Sequence, residues 1–396
     1  MDIIILSNFC MDFSASDNDR FLYIAKMLEK ESTVEMITSD FYHTKKKRRI
    51  LTNVDWPFKI TFLHECGYPR NVCLKRFYSH YLWGRNVKKY LEHRKKADVI
   101  YCAVPSLTAA YYAAKYCAKN KVRFIIDVQD LWPEAFQMIF NIPILKTIFF
   151  APFKFVENKV FNSADSIIAV SQTYVDRALE VNKKCRDGYA VYLGTDINAF
   201  DKNAEIPNEL LKADEEIWIG YCGTLGESYD LKCVIEAIRL VQNSHLKLIV
   251  MGDGPSKNSF EQYAKEKQVN TVFTGRLQYD KMCPLLCKCD IVANPIVGRS
   301  VASIINKHAD YAASGLPVIN TQNSKEYKKL INDYNMGFSV EPGDYKGFAE
   351  KLQLLIDTPL LRKKMGANAR KCAEEKFDRK ITYNKIKQVI LERGMK

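Results

Sequence analysis

The chain has 396 residues, of which 47% are hydrophobic and 27% are charged. This balance is typical of a globular protein and excludes a disordered chain, and the length exceeds what one hydrophobic core usually supports, so we expect two domains. No apolar run approaches the ~20 residues of a membrane-spanning helix. The N-terminal stretch MDIIILSNFCMDF lacks the features of a signal peptide, so we expect a cytoplasmic protein.

Strands and helices alternate through the first half of the chain. The periodicity predicts strands at 3–7, 34–39, 98–105, 123–130 and 166–171, with helices at 19–30, 107–119 and 145–163. A strand that is followed by a helix and a further strand favours a parallel sheet.

A second alternating series follows. It predicts strands at 216–223, 246–254, 269–275, 290–295 and 316–320, with helices at 230–241, 256–267 and 306–315. We therefore predict an α/β protein of two Rossmann-like domains, 1–198 and 199–378, with an irregular seam near 195–215. The segment 379–396 is predicted to form a C-terminal helix, at about 380–393, that returns to the first domain.

The charge of the chain is strongly basic, with 59 Lys and Arg against 46 Asp and Glu, or +13. A local run spans Lys45 to Arg49. It fits a solvated loop, a nucleic-acid partner, or attraction to anionic lipid or a phosphorylated substrate. No zinc-finger, RNP or KH motif supports nucleic-acid binding.

The twelve cysteines are scattered, which favours reduced, mostly buried thiols. The one tight cluster, Cys283, Cys287 and Cys289, has no fourth ligand at a metal-site spacing, so we expect helix packing there and no metal.

Ligands of open parallel sheets bind beyond the carboxyl ends of the strands, so the polar residues that follow each strand are the candidate site residues. In the first half they are Asn8, Asp127, Gln129 and Asp130. In the second half they are Gly223, Thr224, Gly226, Gly254, Gly275, Arg276 and Asn294.

A phosphate site is predicted at the start of the helix at 306–315. The segment Gly298–Ser303 precedes this helix, which carries Asn306, Lys307 and Asp310. Helix N-termini favour anions, and a lysine in the first turn opposes the helix dipole unless an anion accompanies it. Asp310 lies one turn further on and could accept hydrogen bonds from a ribose diol. A Lys–Asp surface pair that only decorates the helix is the alternative.

Six segments of the second half occur in the order YCGTLG, VMGDGP, VFTGR, CDIVANP, INKHADYAASGLPVIN and GFSVEPGD. Over roughly 216–375 they resemble the donor half of the retaining glycosyltransferase family 4, which has the GT-B architecture of two Rossmann-like domains facing across a cleft. DVQDLWPE at 127–134 resembles a DxxDLWPE segment of the bacterial polysaccharide branch that includes N-acetylfucosaminyl transferases.

The resemblance implies roles for the donor-site residues. Asp310 stands where the second Glu of an E-x7-E motif binds the nucleotide ribose, and Lys307 suits the donor diphosphate. Gly275 and Arg276 match a turn that reads the nucleobase, and the loop from Gly223 to Gly226 matches one that faces the diphosphate and sugar. Gly254 closes a similar turn, or is simply a strand-to-helix glycine.

The sequence departs from the family pattern at three places. Ala302 stands where the first Glu of E-x7-E would hold the donor sugar. The Arg/Lys pair that many relatives have is not evident around Ser228 and Tyr229, and the catalytic His of many relatives falls near Gln129.

The acids of the first half are acceptor-side candidates. Asp127 or Asp130 could orient the acceptor hydroxyl or take its proton, whereas Asp130 or Glu134 could instead cap a helix beginning near Trp132. Asn8 and Gln129 are further acceptor contacts, and Arg20 either meets an acceptor phosphate or simply starts its helix.

A peripheral membrane location is predicted from the segment 139–161, which is rich in Phe and Ile and carries Lys146, Lys154 and Lys159. An interfacial helix has such an apolar face with flanking cations. Two prolines, Pro143 and Pro152, are expected to interrupt it, and a core helix is the alternative.

The resulting hypothesis is a metal-independent enzyme that transfers a sugar from a nucleotide donor, expected to be UDP-linked, to a polyprenyl-diphosphate-linked or oligosaccharide acceptor with retention. Its place would be the inner face of the cell membrane, in capsule, exopolysaccharide or O-antigen synthesis. The alternatives are a UDP-sugar 2-epimerase of the same architecture and a non-catalytic nucleic-acid or lipid-surface binding protein.

Overall fold

The computed structural model describes residues 1–10, 13, 19–50, 55–71, 73–132, 143–298 and 303–392. The chain forms two compact units: Met1–Tyr192 with Thr382–Lys396, and Leu193–Ile381. The boundary between the two units, at Tyr192–Leu193, lies a few residues before the predicted domain boundary at 198. The segment predicted to be an irregular seam contains a helix, Ile197–Ala204, whose Ile197 and Phe200 are buried in the second unit.

The first unit contains a seven-stranded parallel sheet with the spatial order β5-β2-β1-β6-β7-β8-β9. Its strands are β1 (Asp2–Leu6), β2 (Thr33–Ser39), β5 (Lys59–Leu63), β6 (Val99–Val104), β7 (Arg123–Val128), β8 (Ser166–Ala169) and β9 (Gly188–Ala190); β3 (Phe41–Tyr42) and β4 (Lys47–Arg48) form a separate hairpin. Its helices are α1 (Arg20–Leu28), α2 (Leu74–His93), α3 (Leu107–Asn120), α4 (Pro143–Ser163) and α5 (Gln172–Leu179).

The central strands of this sheet are apolar because parallel sheets are covered on both faces. In β1 the run Ile3–Leu6 is buried throughout, and Ile3 pairs with Val34 on one side and Val99 on the other. The terminal helix packs into the same core through Tyr383, among other residues. The C-terminal segment is therefore part of the first unit.

The second unit begins with α6 (Ile197–Ala204) and contains a six-stranded parallel sheet. Its strands are β10 (Ile217–Cys222), β11 (Leu246–Met251), β12 (Thr271–Phe273), β13 (Ile291–Asn294), β14 (Val318–Asn320) and β15 (Gly337–Ser339). Its further helices are α7 (Leu231–Val241), α8 (Lys257–Glu266), α9 (Tyr279–Cys287), α10 (Asn306–Ala313), α11 (Lys325–Tyr334), α12 (Tyr345–Asp357) and α13 (Pro359–Cys372), and α14 (Arg379–Leu391) closes the chain.

The strand order of the second sheet is β12-β11-β10-β13-β14-β15, the arrangement of a dinucleotide-binding Rossmann domain. The order reverses between β10 and β13, and ligands bind at the carboxyl ends of the strands at such a reversal. The residues that follow Cys222 and Asn294 therefore lie at the expected ligand-binding edge.

The predicted strands and helices are confirmed, with small differences at their ends. The predicted elements do not include β5 and α2, nor the strands β3, β4, β9 and β15 and the helices α5, α11, α12 and α13. Lys59–Leu63 is an edge strand of the sheet and only partly buried, so its apolar signal is weak. The apolar pattern of helix α2 is interrupted by polar residues, because the helix buries only one narrow face, which includes Trp83 and Val87.

Helix α4 differs from its prediction at one proline. Pro143 begins the helix, where the missing N–H removes no hydrogen bond. Pro152 lies inside the helix and does not end it. Over the described part of the chain, no helix has the length and apolar character needed to cross a bilayer.

Candidate functional site

Two glycine loops lie against each other at the ends of β10 and β11. The Leu225 N–H donates to the carbonyl of Asp253 (2.9 Å). A Cβ on Gly252 would lie 1.9 Å from the carbonyl oxygen of Gly223, and one on Gly254 would lie 2.3 Å from that of Leu225. Gly254 thus has the packing role that the sequence analysis kept as an alternative to donor contact.

Lys307 is the second residue of α10 and extends toward the Gly223 loop. A Cβ on Gly223 would lie 3.0 Å from the Lys307 amine. This amine lies 4.2 Å from the ring centre of Tyr221 and 4.0 Å from that of Tyr229, close enough for cation–π attraction. The Lys307 amine is therefore held against two aromatic rings beside the glycine loop.

The Lys307 amine has no hydrogen-bond partner among the described residues, although the residue is only 8% exposed. No carboxylate of the described chain, Asp310 included, forms an ion pair with it. Burial lowers the pKa of Lys307 to about 7. A buried cation without a counter-charge is unfavourable, and an anion bound at the glycine loop would supply that charge. The surface Lys–Asp pair considered from the sequence is therefore wrong.

The Asp310 side chain, on α10, is bonded to Tyr279 of the neighbouring helix α9. The Tyr279 hydroxyl donates to Asp310 Oδ1 (2.8 Å) and lies 2.7 Å from Thr195 Oγ1. Burial raises the pKa of Asp310 to about 6. One carboxylate oxygen is thus held by a protein hydroxyl.

Asn294 and Ser303 are more deeply buried than the sequence suggested. Asn294 Nδ2 donates to Asn320 Oδ1 (2.8 Å) within a fully enclosed polar network that also contains Gln322. The Ser303 hydroxyl donates to Glu326 Oε2 (2.9 Å). The Asn294 amide nitrogen and the Ser303 hydroxyl donate to protein partners, whereas Asn294 Oδ1 is buried without a hydrogen-bond partner among the described residues. The donor contact predicted for both residues stays a prediction.

The remaining donor candidates are accessible. Thr224, Arg276 and Asn306 are exposed, and Gly226 has open space around it. Gly275 adopts a left-handed φ of +74° in the turn after β12. Asn306 is the first residue of α10, and its side chain is exposed. The predicted departure at Ala302 and the preceding Arg299 lie outside the described residues.

In the first unit, Asp127 and Arg20 form a buried ion pair. Arg20 Nε donates to Asp127 Oδ2 (2.8 Å), and its Nη1 donates to the carbonyl of Val191 (3.0 Å). Tyr101 donates to the same carboxylate, and the guanidinium lies 4.8 Å from the ring centre of Tyr383. The roles predicted for Asp127, to orient the acceptor hydroxyl or take its proton, and for Arg20, to meet an acceptor phosphate, are therefore corrected. Both charges are enclosed and serve the packing of α1, β7 and α14.

Asn8 is likewise part of a buried network. Its amide donates to Glu65 Oε2 (3.1 Å), and the hydroxyls of Ser39 and Ser79 donate to the same carboxylate. Asn8 is 3% exposed, so its side chain positions the loop after β1 and is not free for an acceptor.

Asp130 and Gln129 are the two acceptor-side candidates that remain partly exposed. Burial raises the pKa of Asp130 to about 6, against a lowering effect of the Leu131 N–H, which donates to Oδ1 (3.0 Å). A carboxylate with this pKa can take a proton near neutral pH. Gln129 Nε2 has no hydrogen-bond partner among the described residues. Glu134 lies outside the described residues.

Tyr221 and Tyr229 contact Lys307, and Tyr279 contacts Asp310; these three contacts were not predicted from the sequence. Tyr229 lies where the Arg/Lys pair of relatives was sought, and its ring contacts Lys307 instead. Tyr279 is 31 positions from Asp310. No local spacing pattern connects these tyrosines with α10, so only the tertiary structure reveals them. The described residues contain no group of three His, Cys, Asp or Glu suited to a metal ion.

Comparison with known proteins assigns this site to a class. Residues 216–358, less than half of the chain, match the family described as glycosyl transferases group 1. The second unit therefore carries a glycosyl transferases group 1 domain, as the motifs predicted. The narrower resemblance to N-acetylfucosaminyl transferases stays a prediction.

Two curated relatives illustrate the similarity. The capsular polysaccharide biosynthesis glycosyltransferase CapM of Staphylococcus aureus is 24% identical over 247 residues, which are 57% of this chain and 61% of CapM. The N-acetyl-alpha-D-glucosaminyl L-malate synthase of Bacillus anthracis is 23% identical over 54% of this chain and 56% of its own. The chain thus spans between half and two thirds of the length of these relatives.

Solved structures show the same fold over nearly the whole chain. HepE of Anabaena in complex with UDP superimposes with a TM-score of 0.73 at 16% identity, covering 98% of this chain and 99% of HepE. The fold is GT-B, with two Rossmann-like parallel-sheet domains, as predicted.

Proposed function

We propose that this protein is a retaining glycosyltransferase that moves a sugar from a UDP-sugar bound by the second unit to an acceptor bound by the first. The observation that carries the proposal is Lys307, a buried cation without a counter-charge beside the glycine loop at the ligand-binding edge. Asp310, one turn along the same helix, has one oxygen fixed by Tyr279 and would accept from the ribose hydroxyls.

The chemistry follows from the bond that breaks. Cleavage between the anomeric carbon and the diphosphate oxygen leaves negative charge on UDP and positive character on the sugar. The Lys307 ammonium would stabilise the departing diphosphate, and this electrostatic effect is usually the largest in such catalysis. Because Lys307 supplies positive charge, we propose that the reaction needs no metal. Asp130 would orient the acceptor hydroxyl or take its proton.

The names of relatives support the donor and the pathway. HepE binds UDP in its solved complex, and CapM is a capsular polysaccharide biosynthesis enzyme. We propose a hexosyl or N-acetylhexosaminyl transfer in capsule, exopolysaccharide or O-antigen synthesis, with a polyprenyl-diphosphate-linked or oligosaccharide acceptor. The DVQDLWPE segment supports the branch that includes N-acetylfucosaminyl transferases.

Thermal unfolding with UDP, GDP, dTDP and ADP, each with EDTA present, tests the donor proposal. UDP at about 100 times its dissociation constant should stabilise the chain by ~2.7 kcal/mol, raising the Tm by a few degrees. The other nucleotides should do less, and Asp310→Asn should weaken the UDP effect. A larger shift with GDP, or a UDP effect that EDTA removes and Mg²⁺ restores, would contradict the proposal. Incubation with a UDP-sugar distinguishes transfer from epimerisation. A transferase should release UDP only after the acceptor is added.

We further propose that the protein lies at the cytoplasmic face of the membrane, on an apolar surface formed by α2 and α4. Phe77 of α2 contacts Phe153 of α4 with ring centres 5.0 Å apart. Phe149 (44% exposed) also lies near Phe77, with ring centres 6.5 Å apart. Tyr78 of α2 (60%) and Phe155 of α4 (61%) are exposed as well. The face of α4 that carries Phe150, Glu157 and Val160 is buried. This helix therefore contributes both to the core and to the exposed apolar surface.

Flotation with phosphatidylglycerol vesicles tests this membrane proposal. Phe155→Ser should reduce the floated fraction several-fold, because burying a phenylalanine in the interface contributes roughly 1.5–3 kcal/mol. Leu360→Ser is the matched control, since Leu360 is an exposed apolar residue (81%) of the second unit. Equal recovery with neutral phosphatidylcholine, or an equal loss in both variants, would count against the proposal.

A further inference from the structure

The Lys307 amine is held by two tyrosine rings of the second unit. It lies 4.0 Å from the ring centre of Tyr229 and 4.2 Å from that of Tyr221. The two rings contact each other edge to face, with their centres 5.9 Å apart and an interplanar angle of 73°. The protonated amine is therefore attracted by both rings, whereas no hydrogen bond within the described part of the chain holds it.

The ring of Tyr221 is built into the core. Tyr221 lies on β10, is fully buried and packs in the apolar core of the second unit. Its hydroxyl donates to the carbonyl of Thr224 in the glycine loop (2.7 Å). Because this residue also supports the core and the loop, a substitution of Tyr221 would not isolate its effect on Lys307.

Tyr229 is only partly buried and lies between the glycine loop and α7. Its N–H donates to the carbonyl of Gly226 (3.0 Å), and its backbone forms an antiparallel bridge with Ile296, which follows β13. These backbone contacts do not depend on the side chain of Tyr229. A substitution at this position can therefore remove the ring and keep the course of the loop.

An aromatic ring can hold a charged amine without neutralising it. The face of the ring attracts an ammonium group, but the ring has no net charge. A carboxylate in the same place would form an ion pair with the lysine and would repel a diphosphate. Rings are therefore suited to a lysine whose charge must stay available to an anionic ligand.

The rings also restrict where the amine lies. A lysine side chain is a flexible stem of four carbons, and ordering it costs free energy when a ligand binds. Here the amine already lies at the glycine loop, where a Cβ on Gly223 would be 3.0 Å from Nζ and 3.2 Å from Cε. The ordering of the side chain thus precedes the binding of a ligand, which is what electrostatic preorganisation requires.

We propose that Tyr229 is a positioning residue for the donor diphosphate: its ring holds Lys307 at the glycine loop and leaves the charge of the lysine available. The inference rests on the proposed function in taking Lys307 as the group that meets the diphosphate. It assigns Tyr229 a role in donor binding that operates only through Lys307.

Calorimetric titration of the full chain with UDP tests the inference. Tyr229→Leu removes the ring, keeps an apolar side chain and should weaken UDP binding roughly tenfold. Tyr229→Phe keeps the ring and should restore binding to within about threefold of the wild type. Tyr263→Leu is the matched control, because Tyr263 of α8 also contacts two lysines, Lys232 and Lys267, and should leave UDP binding unchanged. Tyr229→Met serves the same purpose as Tyr229→Leu if the leucine variant does not fold.

A double-mutant cycle separates positioning from a structural role. If Tyr229 acts through Lys307, adding Tyr229→Leu to Lys307→Met should weaken UDP binding by no more than about twofold beyond Lys307→Met alone. Tyr229→Glu should weaken UDP binding more than Tyr229→Leu, because the new carboxylate would pair with Lys307 and repel the diphosphate.

Normal UDP binding by Tyr229→Leu, or the same loss with and without Lys307→Met, would overturn the inference. A loss in Tyr229→Phe as large as that in Tyr229→Leu would also overturn it, because the effect would then belong to the hydroxyl. UDP binding by Tyr229→Glu that is as tight as in the wild type would count against it as well. Normal UDP binding by Lys307→Met would instead contradict the proposed donor contact itself, whatever the tyrosine variants do.

Discussion

Replacing Lys307 with methionine should lower kcat/KM for the UDP-sugar by roughly 100- to 1,000-fold, the usual effect of removing one group that stabilises a developing anion. Methionine keeps an apolar side chain between Tyr221 and Tyr229 and removes only the charge. Steady-state kinetics with UDP-sugar and acceptor measure the effect. Lys281→Met, at an exposed position of α9, is the matched control and should keep normal kinetics.

The pH dependence of stability distinguishes a role of Lys307 in donor binding from a purely structural role. The pKa of Lys307 is lowered in the folded protein, to about 7 from its ordinary 10.5, so the unfolded chain binds more protons between these values. Stability should therefore rise with pH from about 7 to 10.5, and Lys307→Met should remove that contribution. The variant should be at least as stable as the wild type at pH 7. A variant that unfolds more readily and has normal kcat/KM would contradict the donor role.

The same pKa predicts proton uptake when UDP binds at pH 8. Free Lys307 is then mostly neutral, and the bound diphosphate favours its charged form. Calorimetry in two buffers of different ionisation enthalpy should show uptake of up to one proton, which Lys307→Met should abolish.

Arg20→Ala should destabilise the protein by ~3–5 kcal/mol, because it leaves the Asp127 carboxylate buried without its cation. Asp127→Ala should have a similar effect, since the guanidinium is then enclosed without its acid. The double variant should lose less than the sum of the two, because neither charge then remains alone. Urea unfolding measures each difference.

An exposed pair in the same unit provides the control for this prediction. Lys387 contacts Glu31 at 2.6 Å, with 27% and 55% of the two side chains exposed, and Lys387→Ala should change stability by only ~0–1 kcal/mol. If Asp127→Ala kept full stability and lost only kcat, Asp127 would return to the catalytic role that the sequence suggested.

The alternation of strands and helices was readable from the sequence because the central strands of each sheet, such as Ile3–Leu6, are continuous apolar runs. The ligand-binding edge was also predictable, since polar and glycine residues follow these strands and carboxyl ends of parallel strands meet at one edge. Lys307 and Asp310 became candidates because they lie in the first turns of the helix predicted at 306–315, whose N-terminus favours an anion.

Only the tertiary structure decided which of these candidates remain available to a ligand. Asp127 and Arg20 are 107 positions apart, and nothing in their local spacing shows that they neutralise each other in the core. Tyr279 and Asp310, likewise, meet only because α9 and α10 pack in one unit. Periodicity reports which residues are buried along one element, whereas the partner of a buried charge depends on how distant elements pack together. For this protein, the sequence determined the fold and the sheet edge at which a ligand is expected, and the packing determined which charges are already neutralised.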